Sequence, residues 1–145
     1  MCEIQALGPL LGHCAHLAKE RMDARLTEYD VTPAQVHVLH YLYHTGGQAP
    51  QGEVTAHLRV KPSTANGILD RMEEKELVAR SVSDADARRR CITLTEKGKA
   101  LQECCRQAFF ETEALLVRGL AAAEQEQLSA LLLRILTNLE EDRTK

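Results

Sequence analysis

The chain has no tryptophan and only five aromatic residues, Tyr29, Tyr41, Tyr43, Phe109 and Phe110. Its core must therefore come from Leu, Val, Ile and Ala, as in many helix-rich proteins. At 145 residues, 44% hydrophobic and 27% charged, it has the composition of one ordinary globular domain. No apolar run reaches the roughly 18 residues that a membrane helix needs. No basic segment precedes an apolar run at the N-terminus, so a signal peptide is not expected. The five cysteines, Cys2, Cys14, Cys91, Cys104 and Cys105, are odd in number and contain no CxxC, which argues against a secreted disulfide framework. A reduced, cytoplasmic protein without membrane contact is the simplest expectation. Also missing are a nucleophile–base pair, a phosphate loop and a carboxylate dyad, so an enzyme is not expected.

A strong overall positive charge is absent too: the formal net charge is −3. The distribution is more telling than the sum. From Arg59 to Lys99 there are ten Lys/Arg against seven Asp/Glu, and the remainder holds eight against fourteen. Basic charge is thus concentrated in one stretch, while the acidic remainder discourages nucleic-acid binding by other faces.

That stretch, Lys61 to Gly98, reads as a helix followed by two strands. Pro62 suits the first helical position. Ile68, Leu69 and Met72 form an apolar stripe, and Ser63, Thr64 and Asn66 put short polar side chains in the first turns. After Lys75 or Glu76 the period changes to two. Val78, Arg80 and Val82 alternate with Ala79 and Ser81, and Ile92 and Leu94 alternate with Cys91 and Thr93. The connection SDADARRR carries Arg88, Arg89 and Arg90. On a hairpin tip these suit phosphates and a narrow minor groove; alone, they read equally well as a solvated charge run.

The other elements read as helices. A first helix runs from about Glu3 to Tyr29, with Leu7, Leu10, Leu11, Cys14, Leu17 and Ala18 on one stripe. Thr32-Pro33 opens a second, with Val36, Leu39, Leu42 and Tyr43 as its buried face. Gln51 to Leu58 is a short third helix that makes a helix-turn-helix with the Lys61–Lys75 helix. Thr95 caps a fifth, whose apolar face is Leu101, Cys105, Ala108, Phe109, Leu115 and Leu116. The sixth, from about Glu124 to Glu141, carries Leu128, Leu131, Leu132, Ile135, Leu136 and Leu139 at helical spacing. The fold class expected is mainly α: a winged helix-turn-helix with a two-stranded β-wing and additional N- and C-terminal helices.

Several short motifs stand in a fixed order. They are Ser63-Thr64, Leu69-Asp70-Arg71-Met72-Glu73, Leu77-Val78-x-Arg80, Asp86-x-Arg88 and Leu94-Thr95-x-x-Gly98. Together they resemble the winged helix-turn-helix of the MarR family of bacterial transcription regulators, and the similarity extends through Leu26 to Leu42 and Gly119 to Leu139. Three positions depart from that pattern. Glu76 stands where a left-handed glycine usually stops the recognition helix, Lys61 replaces the usual Ser/Thr cap, and Gly67 replaces a frequent arginine.

The resemblance implies one domain over residues 1–145. Its winged-helix core spans 32–98, and the helices of 1–29 and 99–145 interlock into a homodimer. It also implies a regulator, a repressor for preference, on a pseudo-palindromic double-stranded DNA operator. In this reading Ser63, Thr64 and Asn66 meet the major groove and Lys61 and Arg71 hold phosphates. Arg88, with Arg89 or Arg90, enters the minor groove, and Asp86 orients Arg88. The contrasting reading is a helical dimerisation or adaptor protein that has lost DNA binding, favoured by Gly67 and Glu76.

Three kinds of signal are open. His37, His40 and His44 share one helical face and have ligand types suited to zinc, which some relatives sense; solvated histidines are the commoner outcome. Some relatives sense organic peroxides through a cysteine of the first helix held by tyrosines of the second, which suggests Cys14, flanked by His13 and near His16, with Tyr41 and Tyr43 as holders, although an inert core thiol on this stripe needs no further explanation. The third is a small-molecule effector, as many relatives bind, in a pocket to which His13, Arg21, His40 and Tyr43 are candidates.

Overall fold

A computed structural model describes residues 6–82 and 89–145. In order these form α1 (Leu7–Glu28), α2 (Pro33–His44), β1 (Gln48–Pro50), α3 (Gln51–Leu58), α4 (Pro62–Glu74), β2 (Val78–Val82), β3 (Arg90–Leu94), α5 (Glu96–Leu116) and α6 (Ala122–Arg143). They make two compact units, Met1–Thr112 and Glu113–Lys145.

In the first unit α2 is the central helix. Its start is fixed by a reciprocal cap: Gln35 N–H donates to Thr32 Oγ1 at 3.2 Å, and Thr32 N–H donates to Gln35 Oε1 at 3.3 Å. Its buried residues are Gln35, Val38, Leu39 and Leu42. Val36 is only partly covered and Tyr43 is half exposed, so the buried face is turned from the one expected. Apolar side chains lie on two sides of this helix, and periodicity alone cannot say which side the neighbouring elements cover. Leu39 and Leu42 pack with Val54, Leu69, Met72, Leu77, Val78, Ile92 and Leu94 in one core.

The sheet has three strands, not the two expected, in the order β1-β3-β2 and antiparallel throughout. Ile92 on the central strand is opposite Ala49 on one side and Arg80 on the other. β1 is three residues long and ends in Pro50, which has no N–H to donate and is tolerated at an edge. Three residues are too few to show a period, and proline reads as a break.

Helix α4 ends in a Schellman motif. Leu77 N–H donates to Met72 O and Glu76 N–H to Glu73 O, each at 2.9 Å, with Glu76 at φ 62°. The left-handed stop is therefore kept without glycine. Such a conformation costs a side-chain-bearing residue roughly 1 kcal/mol. Glu76→Gly is expected to raise stability slightly, by less than about 1 kcal/mol, because glycine also gains unfolded-state freedom. Thermal unfolding of the two proteins checks this. Lys75 ties the same end down: its Nζ donates to Asp30 O at 2.6 Å and to the buried Gln35 Oε1 at 3.2 Å.

The apolar stripe of α1 is largely uncovered within the chain. Leu7, Leu10, Leu11 and Leu17 are exposed, and Leu26 is the buried residue of this helix. In the second unit α6 contains no buried residue, and Leu128, Leu131, Leu132, Leu136 and Leu139 are all exposed. No helix among the described residues is long and apolar enough to cross a membrane.

Candidate nucleic-acid interface

Helix α4 has two chemically distinct faces. Ala65, Leu69 and Met72 are buried against the core. Ser63, Thr64, Asn66, Gly67, Asp70 and Arg71 are exposed. Lys61 sits at the N-cap in an extended conformation and supplies no side-chain cap, so the first-turn N–H groups remain open to an anion. In the turn before α4, Arg59 takes the left-handed conformation at φ 56°, which glycine adopts more readily.

The wing strands stand beside this helix. A polar groove of about 610 Å³ is bordered by Gln51 and Glu53 of α3, Asn66 of α4, and Arg89 and Arg90 at the start of β3. Asn66, Arg89 and Arg90 are thus brought together. Ser63, Thr64, Lys61 and Arg71 do not line the groove but share the exposed side of α4 or its N-terminus. Asp86 and Arg88 lie outside the described residues.

Two contacts at this surface have little signal in the sequence. Arg80, on β2, has a side chain only 10% exposed. Its guanidinium donates to Asp70 Oδ1 at 2.7 Å and to the Asn66 carbonyl oxygen at 3.2 Å. An alternating strand pattern shows only that Arg80 points to one face, not that it reaches back onto the recognition helix. Gln51 donates through Nε2 to Asn66 Oδ1. Fifteen residues separate that pair, and only the helix-turn-helix geometry joins them.

A second cavity, of about 490 Å³, lies behind the winged-helix core. Met22 comes from α1; Val36, His37, His40, Tyr43 and His44 from α2; and Gln102, Cys105, Arg106, Phe109 and Phe110 from α5. His40 and His44 meet edge to face, with ring centroids 4.4 Å apart. Partial desolvation, then the nearby His44, His37 and His57, hold the His40 pKa below its ordinary value. Arg106 lies 5.0 Å over the Phe110 ring. Burial, helped by Cys104, pushes the Cys105 thiol up to about 11, so it is an inert wall residue.

The sensor candidates divide accordingly. His40 and Tyr43 border this cavity, with His37 and His44 beside them. Among the described residues, however, no three His, Cys, Asp or Glu side chains gather as a metal-binding set. The shared helical face of the three histidines places all of them on the wall of this cavity. His13, Cys14 and His16 are on exposed turns of α1, and neither they nor Arg21 line the cavity. His16 pairs instead with Glu20 at 3.3 Å. Tyr41 stacks on His57, with centroids 4.4 Å apart. Nor is Cys14 a core residue within the chain: it is exposed along with the leucines of its stripe.

A polar recognition helix projecting beside an arginine-bearing wing defines a winged helix-turn-helix DNA-binding protein. The model of the MarR family matches residues 29–89. Similar solved structures include MepR, a transcription regulator of the Staphylococcus aureus multidrug efflux pump MepA. It is 32% identical over 92% of this chain and 98% of that chain, with a TM-score of 0.81. A point variant of S. aureus MepR bound to an oligodeoxyribonucleotide is 33% identical over the same shares, with a TM-score of 0.73. S. aureus MepR bound to ethidium bromide is 33% identical over 92% and 96%, with a TM-score of 0.71. The chain belongs to the MarR family and is a DNA-binding transcription regulator rather than an enzyme.

Proposed function

We propose that the protein is a cytoplasmic homodimeric repressor that binds a pseudo-palindromic operator and is released by a small organic effector. The observation that carries this reading is the division of α4: an apolar face locked in the core and a polar face presented beside Arg89 and Arg90. Ser63, Thr64 and Asn66 read base edges in the major groove, while Lys61 and Arg71 hold phosphates. Arg88, with Arg89 or Arg90, enters the adjoining minor groove, and Asp86 orients Arg88.

Residues 32–98 are the DNA-binding core of a single domain. The helices of 1–29 and 99–145 supply the dimer contacts, which accounts for the exposed leucines of α1 and α6. The effector occupies the cavity lined by His40, Tyr43 and Phe109. Its apolar walls with a few polar groups suit an organic molecule, and ethidium bromide bound to MepR is a precedent in a relative. Occupancy acts by changing the separation of the two recognition helices.

Selection from random duplex DNA, followed by titration in increasing salt, tests the reading. The wild-type protein is expected to enrich a twofold-symmetric site. Asn66→Ala relaxes preference at one position per half-site by about tenfold and leaves the salt slope unchanged. Lys61→Ala weakens all sequences alike and lowers the slope by about one for each phosphate it no longer neutralises. Failure of the wild-type protein to enrich any sequence would favour the adaptor reading.

A further inference from the structure

We infer that Gln51 is a positioning residue that decides which end of the Asn66 carboxamide faces DNA. The inference rests on the reading of Asn66 as a base-contacting residue. Asn66 is held twice. Arg80 donates to its main-chain carbonyl at 3.2 Å while also pairing with Asp70, which fixes the helix at that turn. Gln51 Nε2 donates to its side-chain Oδ1, which fixes the amide.

An asparagine side chain has one acceptor oxygen and one amino group with two donors. With Oδ1 engaged by Gln51, the amino group is the end left to face a base. The orientation of Gln51 is itself favoured by its surroundings. Its Oε1 is buried with no hydrogen-bond partner among the described residues. Turning the amide over would place an amino group with two donors there instead of one acceptor, and unpaired buried donors are the less tolerated of the two.

The major-groove edges of guanine (N7, O6) and thymine (O4) accept hydrogen bonds, whereas cytosine presents a donor at N4 and adenine one at N6 beside its N7 acceptor. A donor-presenting Asn66 therefore prefers guanine or thymine. It disfavours the bidentate adenine contact, which uses the oxygen that Gln51 already occupies.

Gln51→Glu gives the sharpest test. A carboxylate only accepts, so Asn66 must turn its amino group toward position 51 and present Oδ1 to the groove. Base preference is read by selection from random duplexes with purified full-length wild-type, Gln51→Glu, Gln51→Ala, Asn66→Ala and Gln51→Glu/Asn66→Ala proteins. In the wild type, guanine or thymine is expected at the Asn66-dependent position. Gln51→Glu should move the preference toward cytosine or adenine by about tenfold relative to wild type, whatever its added charge does to overall affinity. Gln51→Ala should flatten that position, and it carries the test alone if the glutamate variant does not fold. With Asn66→Ala in place, Gln51→Glu should have no further effect on preference.

An unchanged preference in both Gln51 variants, or an equal change without Asn66, overturns the inference alone. A wild-type preference for cytosine or adenine at that position overturns it as well. Failure of the wild type to enrich any sequence overturns the DNA-reading assignment, and this inference with it.

Discussion

Gly98→Ala is expected to destabilise the winged-helix unit by about 3 kcal/mol, at the upper end of the cost of forcing one methyl group into a packed site. Gly98 lies in the first turn of α5, where that helix begins against the residues that follow α4. A Cβ there would run into the Leu77 carbonyl oxygen and would lie 2.8 Å from Leu94 Cδ1. The Leu77 carbonyl cannot easily retreat, because it accepts from Thr95 N–H at 3.1 Å. The Thr95 hydroxyl is also engaged, 2.6 Å from the Glu76 carbonyl oxygen and 2.9 Å from that of Leu77, and it accepts from Gly98 N–H at 3.0 Å. Relief of the clash would thus disturb the cap of α5 and the stop of α4 together. The melting temperature should fall by roughly 10 °C, at about 2–4 °C per kcal/mol for a chain of this size. Gly67→Ala is the control. A Cβ at Gly67 meets nothing within 4 Å, and alanine is the better helix former, so stability should rise by about 0.5–1 kcal/mol. Equal melting temperatures for Gly98→Ala and the wild type would contradict the close approach.

Leu132→Glu with Leu136→Glu is expected to have the largest effect on assembly. Both leucines lie on α6 and are 39% and 48% exposed in the single chain. If dimer formation covers them, each substitution removes roughly 1.5–3 kcal/mol of burial, and a symmetric dimer carries each change twice. Even half of that total weakens association by several powers of ten, at about 1.4 kcal/mol per tenfold. The new carboxylates add a desolvation cost. Sedimentation velocity at micromolar concentration should show monomer, with or without a fall in helicity. A folded dimer of the variant would mean that α6 does not form the interface.

The parts legible in the sequence are those in which one local signal sufficed. The change of period after Lys75 marked the wing, Thr32-Pro33 and Thr95 marked helix starts, and Pro62 opened the recognition helix. What escaped depended on the rest of the fold. β1 is too short to show a period. Asp30 and Arg59 take the left-handed conformation at helix ends, where glycine is the usual marker, and the bonds around Asp30 offset the strain. The covered side of α2 was settled by packing. At the interface the exposed residues of α4 could be named from helical spacing, but Arg80 and Gln51 reach Asn66 across separations of 14 and 15 residues. The cavity that His37, His40 and His44 border with α5 likewise depends on packing between helices, which spacing along one helix does not show.

The most direct test of two recognition helices engaging one face of DNA is binding to an operator with altered spacing. Two half-sites read by a symmetric dimer lie on one face when their centres are about 10–10.5 base pairs apart. Insertion of five base pairs between the selected half-sites rotates one by about half a turn. The dimer should then bind no better than to a single half-site, whereas insertion of a full turn should recover affinity only if the dimer can span the extra 34 Å or so. Unchanged affinity after the five-base-pair insertion would contradict the account.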